Sequence, residues 1–154
     1  MEEKKRDFLF SGTFNRTLDE KSRLAIPARL RSQLEKAQDE DEVIYVFCHP
    51  GQKLIRIYTY DGWMKFAQST LDEIDDPIKR ANVTDAIYSL LEEQKLDGQG
   101  RIVINKEFAK QIGLEKNALV RGLGRSIQIT PAAEVSDRFN FSDEQNSYID
   151  KMLF

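Results

Sequence analysis

LDEKSRLAI at residues 18–26 returns as LDGQGRIVI at residues 96–104, a constant offset of 78. The shared element is Leu-Asp, three variable positions, Arg, a Leu or Ile, one free position and Ile. Self-similarity at a fixed spacing marks a repeated structural unit. The register continues beyond the motif, where Leu30 aligns with Phe108 and Leu34 with Ile112. Each copy therefore feeds a short amphipathic helix whose apolar positions lie four apart.

Downstream of each helix come two strand-like runs, Val43 to Cys48 then Leu54 to Tyr60 in the first copy, and Ala118 to Arg121 then Ser126 to Thr130 in the second. His49-Pro50-Gly51 and Gly122-Leu123-Gly124 separate them, with glycine placed where a hairpin turn needs positive φ. Helix starts are expected after each hairpin, at Asp61 before Trp63 and Phe66, and at Thr130-Pro131 before Ala132-Ala133-Glu134. Trp63 and Phe66 stand at helical spacing and read as core rather than as a stacking platform for single strands. Between the copies, Val83, Ile87, Leu90 and Leu91 predict a connecting helix within Pro77 to Lys95. Ser142-Asp143-Glu144-Gln145 fits a capping box, followed by a stripe of Tyr148, Ile149, Met152 and Leu153.

The expected fold class is α+β: two pseudo-twofold βαββ halves with a connecting and a C-terminal helix. The boundaries are a first repeat over residues 8–75, the connecting helix over 76–95, a second repeat over 96–137 and a C-terminal tail and helix over 138–154. Neither half alone supplies enough surface to bury an apolar face, so the two complete each other.

With 154 residues and 40% apolar content the chain can build a core. It holds no apolar run of bilayer length, and MEEKKRDF is too charged for a signal peptide, so the expected location is cytoplasmic and no membrane partner is expected. Cys48 is the one cysteine, which excludes an internal disulfide framework and a cysteine-rich zinc site.

Net charge is -3, yet the charge is unevenly placed. Residues 15–31 carry Arg16, Lys21, Arg23, Arg29 and Arg31 against Asp19 and Glu20, five minus two, or +3. Residues 101–125 carry Arg101, Lys106, Lys110, Lys116, Arg121 and Arg125 against Glu107 and Glu115, six minus two, or +4. The acid gathers at Asp39 to Glu42, at Asp72 to Asp76 and from Glu134 onward. Basic windows of this kind suit phosphate contacts, and they equally suit a solvated face.

Arg23 and Arg101 occupy equivalent places, and a guanidinium fork matches phosphate oxygens or a guanine edge. Asp19 with Arg23, and Asp97 with Arg101, also read as ion pairs that brace a turn; an aspartate that orients an arginine leaves donors to spare. His49 is the sole histidine and sits before Pro50-Gly51, a turn position. Gly122 and Gly124 lack the Lys-Ser/Thr of a phosphate loop. The run Asp72 to Asp76 lacks calcium-loop spacing. No nucleophile, base and orienter set stands out, so no enzyme activity, metal or cofactor is expected.

The residues from Phe10 to Arg31, FSGTFNRTLDEKSRLAIPARLR, resemble the amino-terminal signature of the MraZ family, and LDGQGRIVINKEF, residues 96–108, resembles its second copy. The likeness runs to about Glu134. The resemblance implies an AbrB-like double-psi or swapped-hairpin barrel, subunits joined in a ring homo-oligomer, and basic motif residues on double-stranded promoter DNA with repeated boxes. It further implies a transcriptional regulator at the nucleoid, acting on division and cell-wall genes. Carried over by position, the DNA-binding residues are Arg16, Lys21, Arg23, Arg29, Arg31, Arg101 and Lys106, supported by Asp19, Asp97 and Gly100. Three positions depart from the family pattern. Ser22 stands where glycine is usual, Asn105 where the first copy keeps Pro27, and Arg16 where histidine is expected. A serine forced into a left-handed turn costs ~1 kcal/mol, so Arg101 is expected to matter more for DNA than Arg23. An oligomeric interaction protein that keeps this fold without DNA binding is the alternative reading.

Overall fold

A computed structural model describes residues 9–37, 42–132 and 141–152. Among them are eight strands, five α-helices and one 3-10 turn at Pro50–Gln52. β1 (Thr13–Thr17) and β2 (Arg23–Ala25) precede α1 (Ala28–Ala37), then β3 (Ile44–His49) and β4 (Leu54–Tyr58) form a hairpin. α2 (Tyr60–Asp72) and α3 (Pro77–Ser89) follow. The plan then repeats as β5 (Leu91–Gln94), β6 (Arg101–Val103), α4 (Lys106–Ile112), β7 (Asn117–Gly122) and β8 (Ile127–Pro131), with α5 (Asp143–Lys151) near the end.

A six-stranded antiparallel sheet runs β1-β7-β8-β4-β3-β5, and β2 pairs with β6 in a separate two-stranded ladder. The copies are interlocked: β1 of the first lies on β7 of the second, and β5 of the second on β3 of the first. The registers repeat too, Phe14 opposite Val120 on one edge and Glu92 opposite Val46 on the other. The pseudo-dyad passes between β4 and β8 and through the pair Leu24↔Ile102.

One core joins the copies. Leu24, Leu30, Leu34, Ile44, Ile55 and Ile57 meet Ile102, Ile112, Ala118, Ile127 and Ile129 in a single buried cluster between the ladder, α1, α4 and the inner face of the sheet. A second cluster of Phe47, Tyr58, Trp63 and Ala67 lies on the outer face of β3 and β4, under α2. Trp63 is buried there against Phe47 and Tyr58, with ring centroids 5.3 and 5.7 Å away.

Several expectations are corrected. Each half is ββαββ, not βαββ, because β1 and β5 add a strand before each motif. The helix expected over 76–95 ends at Ser89, and Leu91–Gln94 is a strand. Glu92 and Glu93 are poor strand formers, but context overrides propensity. Leu91 packs on the second cluster, while Glu92 and Gln94 are held by Asn105 and Val103. α2 is capped by Thr59, whose hydroxyl accepts from Gly62 N at 3.1 Å, two residues before the expected Asp61. Pro131 ends β8 rather than opening a helix, a position where its missing N–H is harmless. In the first hairpin the left-handed residue is Lys53 (φ 54) and not Gly51, whereas Gly124 (φ 76) serves the second as expected. The capping box of Ser142 and Gln145 is formed, and Tyr148, Ile149 and Met152 on α5 are exposed. The helix start beyond Ala132, Glu134 and Leu153 lie outside the described residues.

Truncating Leu24 or Ile102 to alanine is expected to cost about 2–5 kcal/mol, since each is buried on the dyad, whereas Val103→Ala, on the exposed face of the same ladder, is expected to stay within about 0.5 kcal/mol. Urea unfolding measures all three.

Candidate nucleic-acid interface

The two motifs fold into the same turn. Asp19 N donates to Arg23 O and Ser22 N to Asp19 O, both at 3.0 Å. The Asp19 carboxylate then accepts from Lys21 N and Arg23 N at 2.9 Å and from Arg23 Nε at 2.7 Å. In the second copy Asp97 accepts from Gln99 N and Arg101 N at 2.9 Å and from Arg101 Nε at 2.8 Å. One short carboxylate thus closes the turn and fixes the following arginine at its Nε. The Nη groups of Arg23 meet no acceptor among the described residues. Arg101 Nη1 also lies 3.8 Å from Asp19 Oδ2, which couples the two turns across the ladder.

The backbone N–H of Arg23 bonded to Asp19, and that of Arg101 bonded to Asp97, hold both carboxyls below the ordinary aspartate range, aided by the guanidinium charges.

β2 and β6 bury Leu24 and Ile102 and turn Arg23, Ala25, Arg101 and Val103 outward. The arginine side chains keep 32% and 24% of their surface exposed, enough for their outer nitrogens to reach a ligand. Among the other expected residues, Lys21 sits in the first turn with its backbone N–H on Asp19, and its side chain is exposed. Arg31 on α1 crosses to the second turn, Nη1 donating to Gln99 O at 3.2 Å. Arg16 on β1 donates to Asn15 O at 2.7 Å and stands 5.6 Å over the Phe14 ring. Arg29 donates to Ser11 Oγ at 3.1 Å, and Lys106 opens α4, exposed. The ladder therefore gathers Asp19, Lys21, Arg23, Arg31, Asp97, Gly100 and Arg101, while Arg16, Arg29 and Lys106 are attached to flanking elements.

Sequence reasoning missed two supports. Gln94 lays its side-chain amide along the edge of β6, donating to Val103 O at 2.8 Å and accepting from Val103 N at 3.1 Å. Asn105, in the place of Pro27, caps α4 by accepting from Glu107 N at 2.8 Å and donates to Glu92 Oε2 at 2.8 Å. An asparagine ahead of an amphipathic run was a readable cap signal. Gln94 carried no such signal, because its partner depends on the fold.

The glycine difference between copies also has a local cause. Ser22 (φ 60) and Gly100 (φ 73) share the left-handed conformation, so the serine copy takes the strained turn rather than a shifted one, and both arginines are presented alike. Gly100 is further constrained because Arg31 lies where its Cβ would stand. The residue equivalent to Arg31 in the second copy is Ala109, 78 positions on, too short to make the same demand of Ser22.

Ser22→Gly is accordingly expected to stabilise by about 1 kcal/mol. Gly100→Ala is expected to cost more than the ~1 kcal/mol of the left-handed backbone alone, because its methyl also displaces Arg31. Thermal melts of the two variants decide this. Both aspartates have depressed pKa values, so their contribution to stability is full above the ordinary aspartate range and is lost as pH falls through the lower folded values. Melts from neutral to strongly acid pH should show this loss in the wild type and a flatter acid limb in Asp19→Asn with Asp97→Asn.

The chain matches the family described as "MraZ protein, putative antitoxin-like" over residues 9–82 and 89–151. It is 32% identical over 121 residues to "Transcriptional regulator MraZ" of Chlorobaculum parvum, covering 73% of each chain. It is 31% identical over 123 residues to the protein of that name from Rhodospirillum rubrum, covering 78% of this chain and 77% of the relative. Against the Leuconostoc mesenteroides protein of the same name it is 31% identical over 140 residues, covering 86% and 92%.

Proposed function

We propose, from the premise that this chain belongs to the MraZ family, that it is a DNA-binding transcriptional regulator and not an enzyme. The relatives are named as transcriptional regulators. The observation that carries the reading is the β2–β6 ladder, which sets two arginines in equivalent, carboxylate-braced poses with part of each side chain exposed. A fork held at its Nε has lost much of its rotamer freedom before it meets a phosphate or a guanine edge. Lys21 adds charge beside it, and Arg16, Arg29 and Lys106 extend the surface for contacts that position without reading bases.

In this reading the interlocked hairpins are the AbrB-like swapped-hairpin barrel, and the repeats over 8–75 and 96–137 act as one unit. Subunits form a ring on repeated promoter boxes of double-stranded DNA, where several weak contacts made together give avidity. The location is cytoplasmic and nucleoid-associated, the target is the division and cell-wall gene cluster, and no cofactor takes part. The second reading, an oligomeric interaction protein without DNA binding, is favoured by the same ion pairs, because Asp19 and Asp97 neutralise the two arginines they orient.

Salt separates the two. Log affinity for a promoter fragment should fall linearly with log salt at a slope of about -4 or steeper, given about -0.9 per phosphate contact. Arg23→Ala and Arg101→Ala should each weaken binding by about 1–3 kcal/mol per site, since both turns are formed alike. Fluorescence anisotropy across a salt series is the measurement; a slope near zero, or no binding at low salt, hands the case to the interaction protein.

A further inference from the structure

The outer face of the large sheet changes character along one cross-strand row. Phe47, Arg56, Gln128, Arg121 and Thr13 stand opposite one another on β3, β4, β8, β7 and β1. Phe47 lies in the aromatic cluster with Trp63, and the next positions along the row are Arg56 and Arg121 on either side of Gln128. Arg56 Nε donates to Gln128 Oε1 at 3.4 Å. Arg121 meets no acceptor among the described residues, although its Nε is shut off from solvent. Two strand spacings of ~4.8 Å set the arginine stems ~10 Å apart. Neither guanidinium pairs with a carboxylate among the described residues. Two guanidiniums side by side without a carboxylate leave positive charge that an arriving carboxylate offsets.

The same chain displays unpaired carboxylates. In the turn from α2 to α3, Asp72 accepts from Gln68 and Asp76 caps α3, but Glu73 and Asp75 are exposed and meet no partner among the described residues. Arg80 braces this turn by donating Nε to Ile74 O at 3.0 Å, so the acids stand on a fixed loop. The length of α2 separates them from Arg56 of their own chain. α2 starts two residues after Tyr58, beside Arg56, and its 13 residues carry the turn about 20 Å away.

We propose that Arg56 and Arg121 receive Glu73 and Asp75 of a second copy of this chain. Donor and acceptor patches differ, so the contact is heterologous, the kind that closes rings or extends filaments. This rests on the ring reading above and supplies its subunit contact. DNA phosphates could satisfy the same arginines, but the β2–β6 ladder packs on the inner face with Ile55, Ile57, Ile127 and Ile129, whereas Arg56 and Arg121 stand on the opposite face.

The test is light scattering on the full chain with two double variants, Arg56→Glu with Arg121→Glu, and Glu73→Lys with Asp75→Lys. Each alone should fall from the assembled mass to the 17.8 kDa of one chain, and an equimolar mixture should regain the assembled mass, because every contact is then opposite in charge again. If the arginine variant does not fold by circular dichroism, the acid variant, changed only at exposed positions, decides alone. Wild-type mass in the acid variant overturns the contact while leaving the ring standing. Arginine variants that keep their mass and lose DNA affinity overturn it in favour of a phosphate site. A monomeric wild type removes the ring reading and this contact together, with DNA binding still measurable by anisotropy.

Discussion

Leu24 opposite Ile102 is the contact on which the remainder turns. The ladder is three residues long on each strand, too little to persist on its own. It holds because both apolar side chains are driven into the common core while hydrogen bonds cross at its two ends, Ile26 N to Gly100 O at 3.0 Å and Ile104 N to Ser22 O at 2.8 Å. Those terminal acceptors belong to the turn residues themselves. Burial at the dyad, the left-handed conformation at residues 22 and 100 and the outward aim of Arg23 and Arg101 are therefore one mechanical unit, and none of these can change without the others.

The legibility of the chain follows the range of its interactions. The turns were readable because Asp and Arg act within four residues of each other, and the capping box at Ser142 because it closes within three. The hairpins were readable from alternation and punctuation. β5 was hidden because Leu91-Glu92-Glu93-Gln94 continues a helical pattern, and only β3 alongside it makes it a strand. Arg31 was read only as a DNA-binding residue because nothing in its neighbourhood reveals that a carbonyl 68 residues away, at Gln99, holds it. The resemblance of the two motifs supplied the family, and the comparisons agree, but the residues that support the turns had to come from the fold.

The charge distribution becomes sensible in the same terms. Each motif carboxylate removes about as much positive charge as its arginine brings, so the pairs contribute geometry more than field. Field must come from Lys21 and the flanking Arg16, Arg29 and Lys106, whose side chains make no ion pair among the described residues. A net charge of -3 is compatible with this because the acid lies elsewhere, including the α2–α3 turn at the far end of α2 from the hairpin. Long-range repulsion from that acid is screened within about 8–10 Å at physiological salt, which leaves the local pattern to decide what the surface attracts.

The copies differ where their duties differ. Inside, matched positions stay apolar, Leu24 with Ile102, Ile26 with Ile104 and Leu34 with Ile112, while the larger Phe108 replaces Leu30 where the smaller Ala118 replaces Ile44. Outside, the first copy carries α2 and α3 over β3 and β4, burying Trp63, while the row across β8 and β7 presents Gln128 and Arg121. An outer face built symmetrically would offer the same patch twice and favour isologous pairing; among the described residues a helix covers only the β3–β4 side. The inner symmetry thus sets Arg23 and Arg101 in equivalent poses, while among the described residues the outer face carries a covering helix on the first copy alone.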